Sequence, residues 1–291
     1  MTMRQTPATI FEYQRAESWA DAVELLGIWD DEAKILAGGQ SLVPMLNLRL
    51  TYPAALIDVN PIPAGEPRVE DGHLVIDATT RHRTVAAAPA VRTHAPMLAH
   101  AVSFVGNVRV RNRGTFGGSL AHADPTGEIA AVALATGGDI VVLGPDGERT
   151  IPVEDFFVTY LTTALEPGEV VTGARLRTAE HASWGFHEVA RRYSDFATVS
   201  VSALARPGAG GRPDLRVVLG GVADRPVVVD PELLGPALDA PGDPVRARES
   251  ADAIAASLDP KTDPHATAGY RRRLVAVHTR RLLEQVFGGA E

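Results

Sequence analysis

The sequence predicts an α+β protein with a second domain beginning near residue 180. Three features predict it. The first part of the chain alternates short apolar runs with helical periodicity, as βαβ units do. After about residue 180 the runs lengthen and read as antiparallel strands. The chain then closes on a long amphipathic helix.

The elements follow in order. "SWADAVELLGIW" puts Trp19, Ala22, Val23, Leu25 and Leu26 at helical spacing, with Ser18 as N-cap. "AKILAGG" reads as a short buried strand, Ile35 to Ala37, ending at a glycine pair. "SLVPMLNLRL" is a helix with Pro44 in its first turn, and "PAALIDVN" is a second apolar strand. "HLVIDATTRHRTV" is a strand with a polar continuation, followed by a helical stretch from about Pro89 to Val105. "EIAAVALATGG" is a short apolar helix, and "DIVVLGPDGERTIPVEDFF" is a hairpin around Pro145-Asp146-Gly147. "EVVTGARL" is another strand. "GFHEVARRYSDFATVSVSALAR" and "PDLRVVLGGVADRPVVV" are antiparallel strands joined by a Gly/Pro-rich hairpin at 207–213. A helix runs from roughly Ala266 to Phe287.

At 291 residues, 45% hydrophobic and 22% charged, the composition is that of a globular protein of one or two domains. A formal net charge of −8 and 5% aromatic residues argue against a dedicated nucleic-acid binder. There is no cysteine, which excludes disulfides, a cysteine nucleophile, thiolate zinc sites and cysteine-held iron–sulfur clusters within this chain. The N-terminus has no apolar core of signal-peptide length, and no stretch approaches the roughly 20 apolar residues of a membrane span. A cytoplasmic location is expected.

Two glycine-pair loops carry the chemistry: "LAGGQSL" at 36–42 and "GTFGGSLAHADP" at 114–125. Each sets Gly-Gly before a hydroxyl residue and a segment able to start a helix. Glycine lets a ligand approach main-chain N–H groups, successive N–H groups make an anion-binding concavity, and Ser41, Thr115 and Ser119 add hydroxyl donors. Two such loops suit the two phosphates of a dinucleotide, although a lone glycine pair is ordinarily a turn. Neither loop fits the P-loop or G-x-G-x-x-G patterns.

"LAGGQSLVPMLNLRL", "RNRGTFGGSLAHADPTGEIAAV", "FHEVARRYSDFATVSVSA" and "VVLGGVADRPV", in this order, resemble the medium, FAD-binding subunit of the molybdenum hydroxylases, the carbon monoxide dehydrogenase and xanthine dehydrogenase family. The resemblance spans essentially the whole chain. It implies a vanillyl-alcohol-oxidase/PCMH-type FAD domain over 1–178, in two subdomains of about 1–60 and 61–178. A C-terminal domain of the carbon monoxide dehydrogenase flavoprotein type then covers 179–291. By position it assigns Ala37, Gly38, Gly39, Gln40 and Ser41 to one pyrophosphate loop, and Thr115, Phe116, Gly117, Gly118 and Ser119 to the other. Phe116 replaces the commoner isoleucine, a change of little weight where only its amide reaches phosphate. Glu128 takes the place of an acidic residue that contacts the nucleotide. Val171 and His187 fall at further flavin contacts, His187 where xanthine dehydrogenase has a lysine.

Other residues carry two readings each. Asp124 accepts from a ribityl or ribose hydroxyl, or starts an Asp-Pro turn. His122 approaches the flavin, or is a polar loop residue. Arg109, Arg111 and Arg113 raise the potential around two phosphates, or line one solvated face of an extended "VRVRNR", the simpler reading. Arg191 and Arg192 with Asp195 form a docking or flavin-proximal surface, or a structural ion pair. "YRRRLVAVHTRR" is the wet face of the terminal helix, with Leu274, Val275 and His278 on the dry side.

In the family, a large subunit holds the molybdenum cofactor and a small one two [2Fe–2S] clusters, assembled as a dimer of heterotrimers. The resemblance therefore implies a subunit whose FAD collects electrons from the iron–sulfur partner and passes them to an external acceptor, with no catalytic side chain and no metal of its own. Two alternatives stand beside it: a free-standing FAD oxidoreductase of the same fold, for which about 110 residues after the flavin domain are short, and a non-catalytic nucleotide-binding protein.

Overall fold

The run Ala55-Leu56-Ile57-Asp58 has no exposed position, the pattern of a strand covered on both faces. It is the centre of a parallel sheet in the computed structural model, which describes residues 11–29 and 32–288. This first unit runs β1 (Glu12–Arg15), α1 (Trp19–Trp29), β2 (Ala33–Leu36), α2 (Leu42–Asn47), β3 (Ala55–Asp58), with strand order β1-β3-β2. Ser18 opens α1 as expected, its Oγ accepting from Asp21 N at 3.1 Å. Ala22 and Leu26 turn inward onto Ile57 and Val59.

The second unit begins with β4 (Arg68–Glu70) and β5 (His73–Asp77). Six helices follow: α3 (His82–Ala87), α4 (Pro89–His94), α5 (Pro96–Ala101), α6 (Val108–Arg113), α7 (Phe116–His122) and α8 (Glu128–Thr136). The unit ends with β6 (Gly138–Gly144), β7 (Gly147–Pro152), α9 (Val153–Phe156), β8 (Phe157–Thr159), β9 (Thr162–Thr163) and β10 (Val170–Arg177). The antiparallel sheet order is β4-β5-β10-β6-β7, with β8-β9 a separate ribbon. The helical stretch expected from Pro89 to Val105 is divided. Pro96 has no N–H to donate, Ala95 leaves the helical region at φ −147°, and α5 starts afresh. The "VRVRNR" segment is a helix rather than an extended strand. Its alternation is overruled by Asn107, whose Oδ1 accepts from Arg109 N at 2.9 Å and Val110 N at 3.3 Å and so starts α6.

The third unit is β11 (Ser183–Ala190), β12 (Ala197–Arg206), β13 (Asp214–Gly220) and β14 (Val227–Val228), then α10 (Gly235–Asp239), α11 (Pro244–Ser257) and α12 (Ala268–Gly288). The strands pair in that order, all antiparallel. β12 is buried at every position except Arg206, because α8 covers one face and α12 the other. The same packing explains α8, which is apolar all round and buried from Ile129 to Thr136. Among the described residues no helix is long and apolar enough to cross a membrane.

One basic residue of α12 is not on its wet face. Arg271 is 6% exposed, and its Nη1 donates to the Thr198 carbonyl and to Gly221 O at 2.9 Å while Nη2 meets Asp263 at 2.5 Å. The guanidinium thereby closes the ends of β12 and β13, a polar job that a helical-wheel pattern does not reveal. Val275 lies on the dry side with Leu282 and Leu283, and Leu274 packs partly buried against the same core. Arg271→Met leaves the Thr198 and Gly221 carbonyls and Asp263 Oδ2 without this donor. It is expected to lower stability by about 3 kcal/mol, seen as a lower urea midpoint at unchanged slope.

Candidate functional site

The two glycine loops lie in different units of the fold, and the structure brings them together. Gly38 is buried against the chain that precedes the second loop: a Cβ built there would lie 2.3 Å from Arg113 O and 2.7 Å from Gly114 Cα. A side chain cannot occupy that gap, so the two backbones touch only because residue 38 has none. Further along, the position of a Cβ on Gly118 is 3.7 Å from Ala37 Cβ. The seam opens into a cleft of about 550 Å³ lined by Tyr13, Ala37, Gly38, Gly39, Gln40, Asp58, Asn60 and Arg113, among others.

The first loop presents its amides. Among the described residues the N–H groups of Gly38, Gly39, Gln40 and Ser41 donate to no protein acceptor, and Gly39 turns the chain at φ +70°. Unpartnered successive N–H groups around a left-handed residue make an anion-binding concavity. Gln40 folds its side chain onto Gly38 O at 3.0 Å. Ser41 precedes α2 without capping it, which leaves its hydroxyl free of that role.

The second loop is built differently. Thr115 caps α7, its Oγ1 accepting from Gly118 N at 3.2 Å, and Ser119 N returns to Thr115 O at 3.1 Å. Phe116 N donates to Thr80 O and Gly117 N to Ala78 O, each at 2.9 Å. The Phe116 amide is thus committed to the protein, and its ring is fully buried, so the substitution for isoleucine is a matter of core packing. Ser119 Oγ lies 3.0 Å from His82 Nε2. His82 also reaches Thr115 O at 2.9 Å, so Nε2 carries the proton, and burial holds the ring neutral with a pKa near 4.

A polar network closes the floor of the cleft. Tyr13 Oη donates to Asp58 at 2.5 Å, and Asn60 bonds Asp58 and also Ala37 O at 2.7 Å. Burial alone would raise the Asp58 carboxyl, but these hydrogen bonds hold it below its ordinary value. Arg81 bridges Asn60 Oδ1 at 2.6 Å and the Arg113 carbonyl. Of the three arginines in α6, only Arg113 lines the cleft; Arg111 caps the carbonyls of Ser103, Val105 and Gly106, and Arg109 is exposed.

The loops and cleft match a known protein class. Residues 9–176 match the family described as "FAD binding domain in molybdopterin dehydrogenase", and residues 184–286 match "CO dehydrogenase flavoprotein C-terminal domain". The chain belongs to the FAD-binding medium subunits of the molybdenum hydroxylases. It is 35% identical over 280 residues to the carbon monoxide dehydrogenase medium chain of Hydrogenophaga pseudoflava, covering 94% of this chain and 96% of that one. It is 36% identical over 276 residues to the nicotine 6-hydroxylase medium subunit of Paenarthrobacter nicotinovorans, covering 93% and 95%. The solved carbon monoxide dehydrogenase of Hydrogenophaga pseudoflava that lacks the Mo-pyranopterin moiety superposes with a TM-score of 0.89 at 34% identity, over 96% of this chain and 97% of that one.

FAD is the cofactor of this family, and the residues here fit it. Free amides, a steric gap only glycine allows, the Arg81 guanidinium and a cleft of ligand size meet at one seam. The remaining family positions are not among the residues that line the cleft. Asp124 Oδ1 accepts from Thr126 N and Oγ1, both at 2.7 Å, so it does start the turn, with Oδ2 left over. His122 ends α7 half-buried, its pKa lowered by burial. Val171 sits in β10 beside the register shift at Gly173. His187 faces α12, its Nδ1 3.4 Å from that of His278, and burial and His278 lower its pKa. Arg191 and Asp195 form no ion pair among the described residues, and the turn closes through Asp195 N to Arg192 O at 3.2 Å.

Sequence reasoning missed Glu188, the neighbour of His187. Successive strand residues face opposite ways, so Glu188 points to the α8 side, where Oε2 is buried without a partner among the described residues. Burial, then Glu128, pushes its carboxyl up to about 8; burial, then Asp124, pushes Glu128 to about 7. Both raised values mean that the folded chain holds these protons more tightly than the unfolded one. Stability therefore falls as pH rises from about 4.5 to about 8. Glu188→Gln is expected to flatten the greater part of that slope in urea midpoints taken across the window. An unchanged slope would refute the assignment.

Proposed function

We propose that this chain is the electron-transfer subunit of a molybdenum hydroxylase, holding FAD between the two glycine loops. The observation that carries this is the meeting of those loops at Gly38 and Arg113, over a cleft that offers unpartnered amides. Ala37, Gly38, Gly39, Gln40 and Ser41 bind one side of the diphosphate, and Thr115, Phe116, Gly117, Gly118 and Ser119 shape the other. By family position, Asp124, Glu128, Val171 and His187 are assigned to the flavin half. The FAD-binding domain ends near residue 178, and the rest of the chain forms the C-terminal domain.

FAD bound there supplies storage for an electron pair and exchange with one-electron carriers. The chain's own residues bind it, orient it and set its electrostatic surroundings. With no cysteine to hold a cluster, the electrons arrive from a small [2Fe–2S] subunit, and a large subunit bearing the molybdenum cofactor oxidises the substrate. The relatives bear names of medium chains and subunits of carbon monoxide dehydrogenase and nicotine 6-hydroxylase, which supports this division. Electrons leave to an external acceptor, and the assembly is a cytoplasmic dimer of heterotrimers.

The test is an absorption spectrum of the purified chain before and after heat release of its chromophore, with the released compound identified by chromatography. One FAD per chain is expected, and Gly118→Asp is expected to abolish retention by placing a carboxylate in the seam. A wild-type chain that refuses added FAD both alone and with its partner subunits would sink the proposal.

A further inference from the structure

Arg81 stands behind the seam of the two loops with more charge and more donors than the protein around it uses. Its Nη2 donates to Asn60 Oδ1 at 2.6 Å and its Nη1 to the Arg113 carbonyl. A guanidinium has five N–H donors, so three have no acceptor among the described residues. It forms no ion pair among them either. The carboxylate that acts on it, Asp58, is held by Tyr13 and Asn60. Its other charged neighbours are Arg113 and Arg83, which have the same sign. Burial and these two cations lower its pKa from the usual arginine value.

Arg81 thus hydrogen-bonds two residues that line the cleft, Asn60 and Arg113, while the first loop brings bare main-chain N–H groups to the same cleft. Guanidinium and amides both suit phosphate, one by a planar fork of donors and the other by orientation. The second loop needs such side chains, because its own amides at 116–119 are taken by Ala78, Thr80 and Thr115. We propose that Arg81, together with Arg113, is the cationic half of the FAD diphosphate site and makes this chain select a dinucleotide over FMN. This rests on the reading that the loops hold FAD.

A rival role for Arg81 is a brace, since its two bonds also tie Asn60 to the start of the second loop. The two roles separate in the full chain stripped of flavin, with wild type, Arg81→Met and Arg81→Lys compared. FAD and FMN are titrated by fluorescence quenching, and thermal midpoints are read with and without inorganic pyrophosphate. Arg81→Met is expected to weaken FAD by at least about tenfold, to weaken FMN less, and to abolish the midpoint rise given by pyrophosphate. Arg81→Lys is expected to restore most of each, and the apo midpoint of both variants to stay within about 2 °C of wild type. Wild-type FAD affinity in Arg81→Met would overturn the proposal. So would an apo midpoint lowered equally in both variants, which is the signature of a brace. A wild type that responds to neither FAD nor pyrophosphate overturns it together with the FAD reading, and that outcome is visible before any variant is made.

Discussion

The site depends on one close contact, the backbone of residue 38 against the backbone of residues 113 and 114. The parallel sheet delivers Gly38 from the end of β2, and α6 delivers Arg113 and Gly114 from the other unit. With a Cβ in the way, the loops would have to separate by about an ångström, and the bonds across the seam would go with them. Asn60 to Ala37 O, Arg81 to Asn60 and Arg81 to the Arg113 carbonyl are a chain of short links that each presuppose the next. The cleft is what remains open when the two units meet at a glycine.

The two loops, alike in sequence, are not alike in chemistry, and packing is the reason. The second loop lies over the end of β5, in a region where Thr115, Phe116 and Gly117 are all buried. Buried amides must be paired, so they are given to Ala78 and Thr80. The first loop faces the cleft and can leave its amides free until a ligand takes them. The seam therefore has free main-chain N–H groups on the side of the first loop and amides already spent within the protein on the side of the second.

How far the sequence was legible follows the same line. The two loops, the βαβ start, the hairpin at 145–147 and the terminal helix all rest on local signals, namely glycine pairs, period and turn residues. The errors arise where a local cap outweighs periodicity or where a side chain answers to a distant partner. "VRVRNR" alternates like a strand, but Asn107 caps a helix there. Arg271 has the pattern of a wet face, but the open ends of β12 and β13 need a donor. Arg81 and His82 passed as the polar tail of a strand. What they serve, the second loop, lies some thirty residues on, and nothing in the local pattern of "TTRHRT" points to it.

Glu188 was hidden for a related reason. Comparison by position drew attention to His187, yet adjacent strand residues serve opposite faces, and a one-residue difference decides which face is meant. The structure turns His187 to α12 and Glu188 to α8. The α8 face is the one that meets the second loop, because Gly221 N donates to Pro125 O at 2.9 Å. Ser200 and Ser202 lie on that same side of β12, buried and with hydroxyls that have no partner among the described residues. An acid in such a place keeps its proton because water is excluded, and it is excluded because the C-terminal sheet is packed on both faces. The protonation of Glu188 is therefore a property of the contact between the second and third units rather than of β11 alone.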